Sequence, residues 1–202
     1  MERLLKAANS STEGDTSVNL AKRIFLNQAE CDAAFDLTRS KLLSIADWGK
    51  SSSATSYELF DESGTVLKSE PIGVGRFIRI NLYGSGKYDW VRVLEIQDEP
   101  DEFVLTVKPS HDPTEQPPDT SSTSHFFSPE ATNNFCIQRV EKTLAFYVIG
   151  LNEHQNTKFT DSLIESARNA AVANIGYYSG LQKAVWKEFC SNMIEAKAED
   201  AS

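Results

Sequence analysis

One apolar stripe near the C-terminus constrains the fold of this 202-residue chain more than any other feature. Apolar residues recur there at spacings of three and four, over about 30 residues, which is the period of one helix face. They are Ile164, Ala167, Ala171, Ile175, Tyr178, Leu181, Val185, Phe189 and Met193. The pattern predicts a long helix over 160–195, with a capping box at Ser162 and Glu165 and with Thr160 and Asp161 as alternative caps. A helix of this kind has to bury its apolar face against another element.

The chain before this helix is typical of short antiparallel strands. Apolar residues alternate with polar ones, and turn residues separate the runs, as at Glu62-Ser63-Gly64 and at Glu141-Lys142. We expect the following residues to point inward: Val18, Leu20, Ile24 and Leu26; Tyr57 and Leu59; Ile78, Ile80 and Leu82; Tyr88, Trp90, Leu94 and Ile96; Phe103, Leu105 and Val107; Phe135 and Ile137; Leu144, Phe146 and Val148.

A second helix is predicted between the first two strands, at about 28–47. Its apolar positions are Ala33, Ala34, Leu37, Ile45 and Trp48, in phase with Lys41, and Gly49 follows as a C-terminal cap. We expect residues 1–16 to be a flexible leader, 17–195 to be one domain, and 196–202 to be a frayed tail.

The predicted order is strand, helix, about six antiparallel strands and a long helix, which argues against a doubly wound parallel sheet. This order resembles the helix-grip fold of the START, Bet v 1 and polyketide-cyclase-like superfamily (SRPBCC) over residues 17–195. The segments GRFIRINLYGSGKYDWVRV at 75–93 and HFFSPEATNN at 125–134 look like a group of uncharacterised bacterial proteins. The resemblance implies an α+β fold in which a curved antiparallel sheet wraps around the C-terminal helix. It implies no activity.

The charge balance limits the partners of this chain. Lys and Arg number 20 against 29 Asp and Glu, which gives a net charge of −9. Affinity for nucleic acid comes mostly from cationic contacts to phosphate, and basic segments also carry binding to anionic lipid, so neither partner is expected. No apolar run has the length of a signal peptide or of a membrane span, and we therefore expect a cytoplasmic protein.

The cysteines and histidines give little support to a metal site. Cys31, Cys136 and Cys190 are far apart in sequence and are expected to be reduced, partly buried thiols. His111, His125 and His154 could converge at one end of the sheet with Asp112 or Glu153, but no recognised ligand spacing is present. We predict no metal and no cofactor.

The segment 109–131 departs from the rest of the chain. It holds five of the seven prolines, and the wider span 98–130 contains eight acids against Lys108 alone. Long loops of this kind are either functional or disordered. We consider a lid over a cavity, with Phe126 and Phe127 as its latch, or a solvated connection. The acidic 98–130 loop is also a candidate surface for a protein partner.

These features favour a binding protein that holds a small apolar or amphipathic molecule between the sheet and the C-terminal helix. The candidate lining residues are Tyr57, Trp90, Phe103, Phe146, Ile175 and Tyr178. Arg76, Arg92 and Arg139 share the parity of the inward residues. Arg92 is the candidate polar anchor, although each arginine could equally pair with acids near a strand end, such as Glu95, Glu141 or Glu153.

Two other functions stay open. The first is a cyclase- or hydrolase-like enzyme on the same scaffold, in which His125 or His154 acts as the acid–base group. The second is a domain whose interior is filled by its own side chains and which acts through a protein partner. A ligand-sized cavity separates the binding protein and the enzyme from this last alternative.

Overall fold

The structure, a computed structural model, describes residues 2–10, 16–52, 55–82, 88–115, 123–125, 127–154 and 175–196, with the backbone alone at 10, 82 and 175–183. The helices are α1 (Glu2–Ser10), α2 (Gln28–Leu42), α3 (Ile45–Lys50) and α4 (Ile175–Met193). The strands are β1 (Thr16–Ile24), β2 (Thr55–Phe60), β3 (Val66–Leu67), β4 (Phe77–Leu82), β5 (Tyr88–Glu99), β6 (Glu102–Pro109), β7 (Thr132–Val140) and β8 (Thr143–Leu151).

The strands form one curved, open antiparallel sheet in the order β1-β8-β7-β6-β5-β4-β2-β3. The C-terminal helix α4 packs on one face of this sheet, which we call the inner face, and the opposite side is the outer face. The last turn of α4 lies at the end of β1, where Arg23 Nη1 donates to the Ile194 carbonyl over 3.2 Å. This is the α+β helix-grip arrangement that the sequence predicts.

Strict alternation predicts the inner face correctly in most strands. The residues of β2, β6, β7 and β8 that were expected to point inward are buried in the core on the inner face, as is Ile78 of β4. In α4, Val185, Phe189 and Met193 are buried as predicted. The first part of the predicted helix, 155–174, and the predicted tail at 197–202 lie outside the described residues, as does the Leu82 side chain.

Strand β5 contradicts the prediction because it contains a β-bulge. The register shifts between Val93 and Glu95, so the strand changes parity at this point. Val91 and Val93 therefore face the inner core, and Ile96 joins them after the bulge. Trp90 lies on the outer face with Phe60 and Phe77. A pattern of strict alternation cannot place Trp90 and Ile96 correctly at the same time.

The prediction is also wrong for the orientation of β1. Val18, Leu20, Ile24 and Leu26 are exposed, while Ala21 is in the inner core. β1 is an edge strand, so only one of its sides is hydrogen-bonded. Its buried residues, Asn19 and Ala21, are polar or small, so the pattern of apolar residues indicates the wrong face. Each of these residues is thus placed on the side opposite to the one expected.

The predicted helix over 28–47 is divided in two, since α2 ends at Leu42 and α3 begins at Ile45. Asn27 caps α2, and its side chain accepts from the Glu30 N–H over 3.0 Å. Cys31, Phe35 and Leu42 form the buried side of α2, whereas Leu37 is exposed. Of the predicted apolar positions, Ile45 and Trp48 of α3 are buried and Ala34 is half-buried against the same core, whereas Ala33 and Leu37 are exposed.

In place of the flexible leader, Glu2–Ser10 forms the helix α1. Leu4, Leu5 and Ala8 of α1 pack against Val104, Cys136 and Ile149 on the outer face. The apolar spacing of four in this short helix gives it one side to bury. The described part of the chain contains no helix that is both long and apolar enough to span a membrane.

The described ends of the segment 109–131 are hydrogen-bonded to the backbone of β5. Ser110 N–H donates to the Trp90 carbonyl over 2.9 Å, and Trp90 N–H donates to the Ser124 carbonyl over 2.8 Å. Phe127 is buried, while Phe126 lies outside the described residues. These bonds continue the sheet beside Trp90, and the ring of His111 in the same segment lies against Phe77 of the outer face.

Candidate ligand-binding site

The inner face is filled at its centre by an aromatic cluster of Trp48, Tyr57, Phe135, Phe146, Trp186 and Phe189. Phe189 of α4 is its hub, with ring centroids 5.4–6.4 Å from those of the other five members. Edge-to-face and tilted pairs at these distances are favourable beyond the area they bury. The middle of the inner face is therefore a packed core.

A row of polar residues lies beyond the aromatic cluster, at the end of the inner face where β8 finishes. We define the polar row as Ser17, Gly150 and Asn133, which pair directly across β1, β8 and β7, together with the carboxyl group of Glu153. The Asn133 Nδ2 donates to Glu153 Oε1 over 3.1 Å, and the Ser17 hydroxyl also hydrogen-bonds this carboxyl.

Gly150 is the reason that the Glu153 carboxyl can lie over the sheet. A Cβ at Gly150 would collide with both the carboxyl carbon and its oxygens, so only glycine leaves room for this close approach. Parity places the vacant Cβ position on the inner face, since Phe146 and Val148 of the same strand belong to the inner core. The carboxyl of Glu153 therefore lies on the side of α4.

Burial is the main influence on the pKa of the Glu153 carboxyl. Desolvation raises the pKa of its carboxyl, and the hydrogen bonds from Ser17 and Asn133 act in the opposite direction. Asn133 and Asn19, which is opposite Val148 in β1, are both about 6% exposed. Four polar side chains are thus gathered on an otherwise apolar face, and amides and hydroxyls of this kind determine ligand orientation in apolar pockets.

The buried Nε1 of Trp186 in α4 has no hydrogen-bond partner among the described residues. The phenol of Tyr57 lies beside the hydroxyls of Ser52 and Thr55. Burial raises the pKa of this phenol, and hydrogen bonds with the two hydroxyls oppose the rise. Buried polar groups are nearly always paired, so unpaired ones call for an explanation, such as a ligand or a bound water.

The predicted lining residues are only partly brought together. Tyr57 and Phe146 belong to the aromatic cluster. Phe103 is also buried on the inner face, but at the opposite end of β6 from the polar row, with the Arg39 guanidinium of α2 5.8 Å from its ring centre. Ile175 and Tyr178 are in α4, but their side chains lie outside the described residues.

Trp90 and Arg92 are not on the predicted face. Trp90 is about 1% exposed and packs on the outer face with Phe60, 4.9 Å between ring centroids. Arg92 forms an ion pair with Glu62 over 2.5 Å and lies 5.5 Å from the Phe77 ring centre. Its partly exposed guanidinium is neutralised at the surface, so it cannot anchor a ligand under α4.

Arg139 does lie on the inner face, with partners other than those expected. Its guanidinium binds Asp101 and Asp32, each over 2.7 Å, and lies above the Phe35 ring. Asp98 pairs with Arg39. Part of the predicted acidic loop is thus the β5–β6 hairpin, in which Asp98 and Asp101 form ion pairs with Arg39 and Arg139.

The three histidines have different surroundings in the structure. His125 is buried, and its Nδ1 accepts from the Phe127 N–H over 2.9 Å; burial lowers the pKa of its imidazole. His111 packs its ring against Phe77 on the outer face, and His154 is exposed. Within the described ranges, no three His, Cys, Asp or Glu side chains form a group that could hold a metal.

The cysteines are free and buried, as predicted. Burial raises the pKa of both Cys136 and Cys190 to about 12. A thiol with so high a pKa carries almost no thiolate at neutral pH, so neither cysteine is a nucleophile.

Sequence reasoning missed most of the polar row and Trp186. Glu153 appears there only as a possible metal ligand or ion-pair partner. Two signals were present: Gly150 interrupts an apolar strand, and Asn133 occupies an inward position of β7. Both are unfavourable in a strand core, and such local violations often mark functional positions.

Comparison with known proteins provides no family for this chain. No family model matches it, and a search of curated proteins returns no match.

Comparison with solved structures supports the fold. A hypothetical protein from Helicobacter pylori superimposes with a TM-score of 0.55 at 8% identity, covering 94% of this chain and 92% of that one. Ara h 8.0201 gives a TM-score of 0.40 at 10% identity, covering 89% and 99% of the two chains. DynU16, from the dynemicin biosynthetic locus, gives 0.44 at 11% identity, covering 90% and 46%. The last two scores are too low to establish a common fold, and the first concerns the fold alone.

Proposed function

We propose that the protein binds a small amphipathic molecule between the inner face and α4, at the end of the sheet that carries the polar row. The observation that carries this proposal is the buried Trp186 Nε1, a donor without a partner among the described residues. Trp186 belongs to the aromatic cluster, and a ligand that accepts from its Nε1 would satisfy it.

The arrangement of apolar and polar groups supports the same proposal. A pocket for a small molecule is mostly apolar and contains a few polar groups that orient the ligand. The aromatic cluster offers the apolar surface, and the polar row offers a carboxyl, two amides and a hydroxyl when Asn19 is included. The molecule bound here would accordingly have an apolar body and a polar head.

The experiment is a titration with N-phenyl-1-naphthylamine, a neutral dye whose fluorescence rises in apolar surroundings. We expect saturable binding to the wild-type protein. Tyr57→Phe and Trp186→Phe each remove one buried polar atom with little change in shape. Each should weaken the binding of a ligand that bonds that atom by about 2- to 10-fold, the range of one net hydrogen bond.

Two variants on the outer face serve as matched controls. Tyr147→Phe removes a hydroxyl beside α1, and Trp90→Phe replaces the tryptophan of the outer cluster. Neither should alter dye binding. Equal effects of inner and outer variants would contradict the proposed location, and absence of saturable binding by the wild type would favour the filled interior that acts through a protein partner.

A further inference from the structure

We infer that the site selects amphipathic molecules with a cationic amine head, and that the Glu153 carboxylate binds this head at the polar row. This inference rests on the proposed function and names the chemical class of its ligand. It concerns Glu153 because this is the one carboxyl group of the polar row, and its position is determined by three adjacent strands.

The geometry leaves the carboxylate oriented but incompletely bonded. Asn133 donates to Oε1, and Ser17 adds a second hydrogen bond. A carboxylate has about four acceptor positions on its two oxygens, so acceptor capacity remains after these two bonds. No lysine or arginine among the described residues forms an ion pair with Glu153, whereas Asp32, Glu58, Glu62 and Asp98 all have one.

The polar row favours a cation over an anion or a neutral head. Its carboxylate only accepts hydrogen bonds, and the oxygens of Ser17 and Asn133 can accept as well. An ammonium group has three donors and no acceptor, so it matches this set and supplies the missing positive charge. An anionic head would lie beside the buried carboxylate and be repelled.

The experiment compares three ten-carbon probes with different heads, each below the concentration at which it forms micelles. Decylamine, decanol and decanoate are used to displace N-phenyl-1-naphthylamine from the wild-type protein at pH 7. We expect decylamine to act at a concentration about 10-fold below decanol, since a hydrogen bond to a charged group contributes more than a neutral one. Decanoate should be the weakest.

Glu153→Gln keeps the shape of the side chain but removes its charge, so it should abolish the preference for decylamine. Gly150→Ala leaves the charge but displaces the carboxyl, so it should also reduce the preference for decylamine. It serves as the second test if Glu153→Gln folds poorly. Glu130→Gln is the matched control, because it removes an exposed carboxyl near the same end of the sheet. The backbone carbonyl of Glu130 accepts from Asn152 Nδ2. Glu130→Gln should preserve the preference, which separates the polar row from the attraction of the net charge of −9.

The outcomes distinguish this inference from the proposed function. Loss of the decylamine preference in Glu153→Gln and its retention in Glu130→Gln support the inference. Equal displacement by all three probes, or a preference that survives in Glu153→Gln, would overturn it and leave ligand binding intact. A wild-type protein that binds none of the probes and no dye would overturn both.

Discussion

The aromatic cluster and the polar row occupy the same face of the same sheet, yet they are built on opposite principles. In the aromatic cluster, Phe189 is fully buried and contacts five other rings. In the polar row, a carboxyl with a raised pKa lies above a glycine that leaves space for it. The first region stabilises the fold, and the second costs stability.

This difference is the basis of the proposed site. A half-buried carboxyl and an unpaired donor are unfavourable for folding, and proteins keep such features mainly where binding or catalysis requires them. The polar row is also the end of the inner face toward which α4 extends from Phe189. Trp186 lies one helical turn from Phe189 and packs against Phe135, which is two residues from Asn133 in β7.

The largest expected effect sharpens this comparison on the side of the fold. Phe189→Ala should lower the free energy of unfolding by about 3–5 kcal/mol, because the vacated volume is surrounded by five rings that cannot collapse into it. Urea denaturation measures this loss. Val18→Ala on the exposed side of β1 is the control and should change stability by less than about 0.5 kcal/mol. A loss below about 1 kcal/mol in Phe189→Ala would contradict the central packing role of Phe189.

The smaller effect concerns the polar row and has the opposite sign. Since burial raises the pKa of Glu153 above its unfolded value, the folded protein loses stability as the pH rises from the unfolded pKa through the folded pKa. Glu153→Gln escapes this loss, and its amide oxygen can still accept from Asn133. We expect the variant to melt about 2–4 °C above the wild type at pH 7, with a smaller advantage at pH 4.

Thermal melts at the two pH values check this prediction, with Glu130→Gln as control. Glu130 is exposed, and hydrogen bonds lower the pKa of its carboxyl, first of all the one from Ser128. Its substitution should therefore give no gain at pH 7. A gain in Glu153→Gln that is the same at pH 4 and pH 7 would show that the ionised carboxylate carries no cost.

The sequence predicts those parts of the molecule that depend on local periodicity. Phe146 and Val148 alternate in a strand with regular pairing, and Val185, Phe189 and Met193 follow the helix period, and all of them are buried as predicted. Trp90 was misplaced because a bulge later in β5 reverses the alternation. Local patterns contain no information about such a register shift.

The polar row depends on contacts that no local pattern encodes. Ser17, Gly150 and Asn133 come together only through the pairing of β1 with β8 and of β8 with β7. Ser17 and Gly150 are far apart in the chain, so their meeting is a property of the sheet order. The inward position of Asn133 could be read from the alternation in β7, but its partner Glu153 follows the end of β8 and belongs to no periodic segment.

The most direct test of the central claim uses the three tryptophans of the chain as reporters in a ¹⁵N–¹H spectrum. Trp48 Nε1 donates to the Leu42 carbonyl over 2.9 Å, Trp90 is on the outer face, and Trp186 Nε1 has no partner among the described residues. Variants with Phe at each position assign the indole signals. On saturation with N-phenyl-1-naphthylamine, ligand binding at the polar end of the inner face predicts a large shift of the Trp186 indole signal, with Trp90 unchanged and Trp48 moving less. A shift confined to Trp90, or no shift at any of the three under saturating dye, would contradict it.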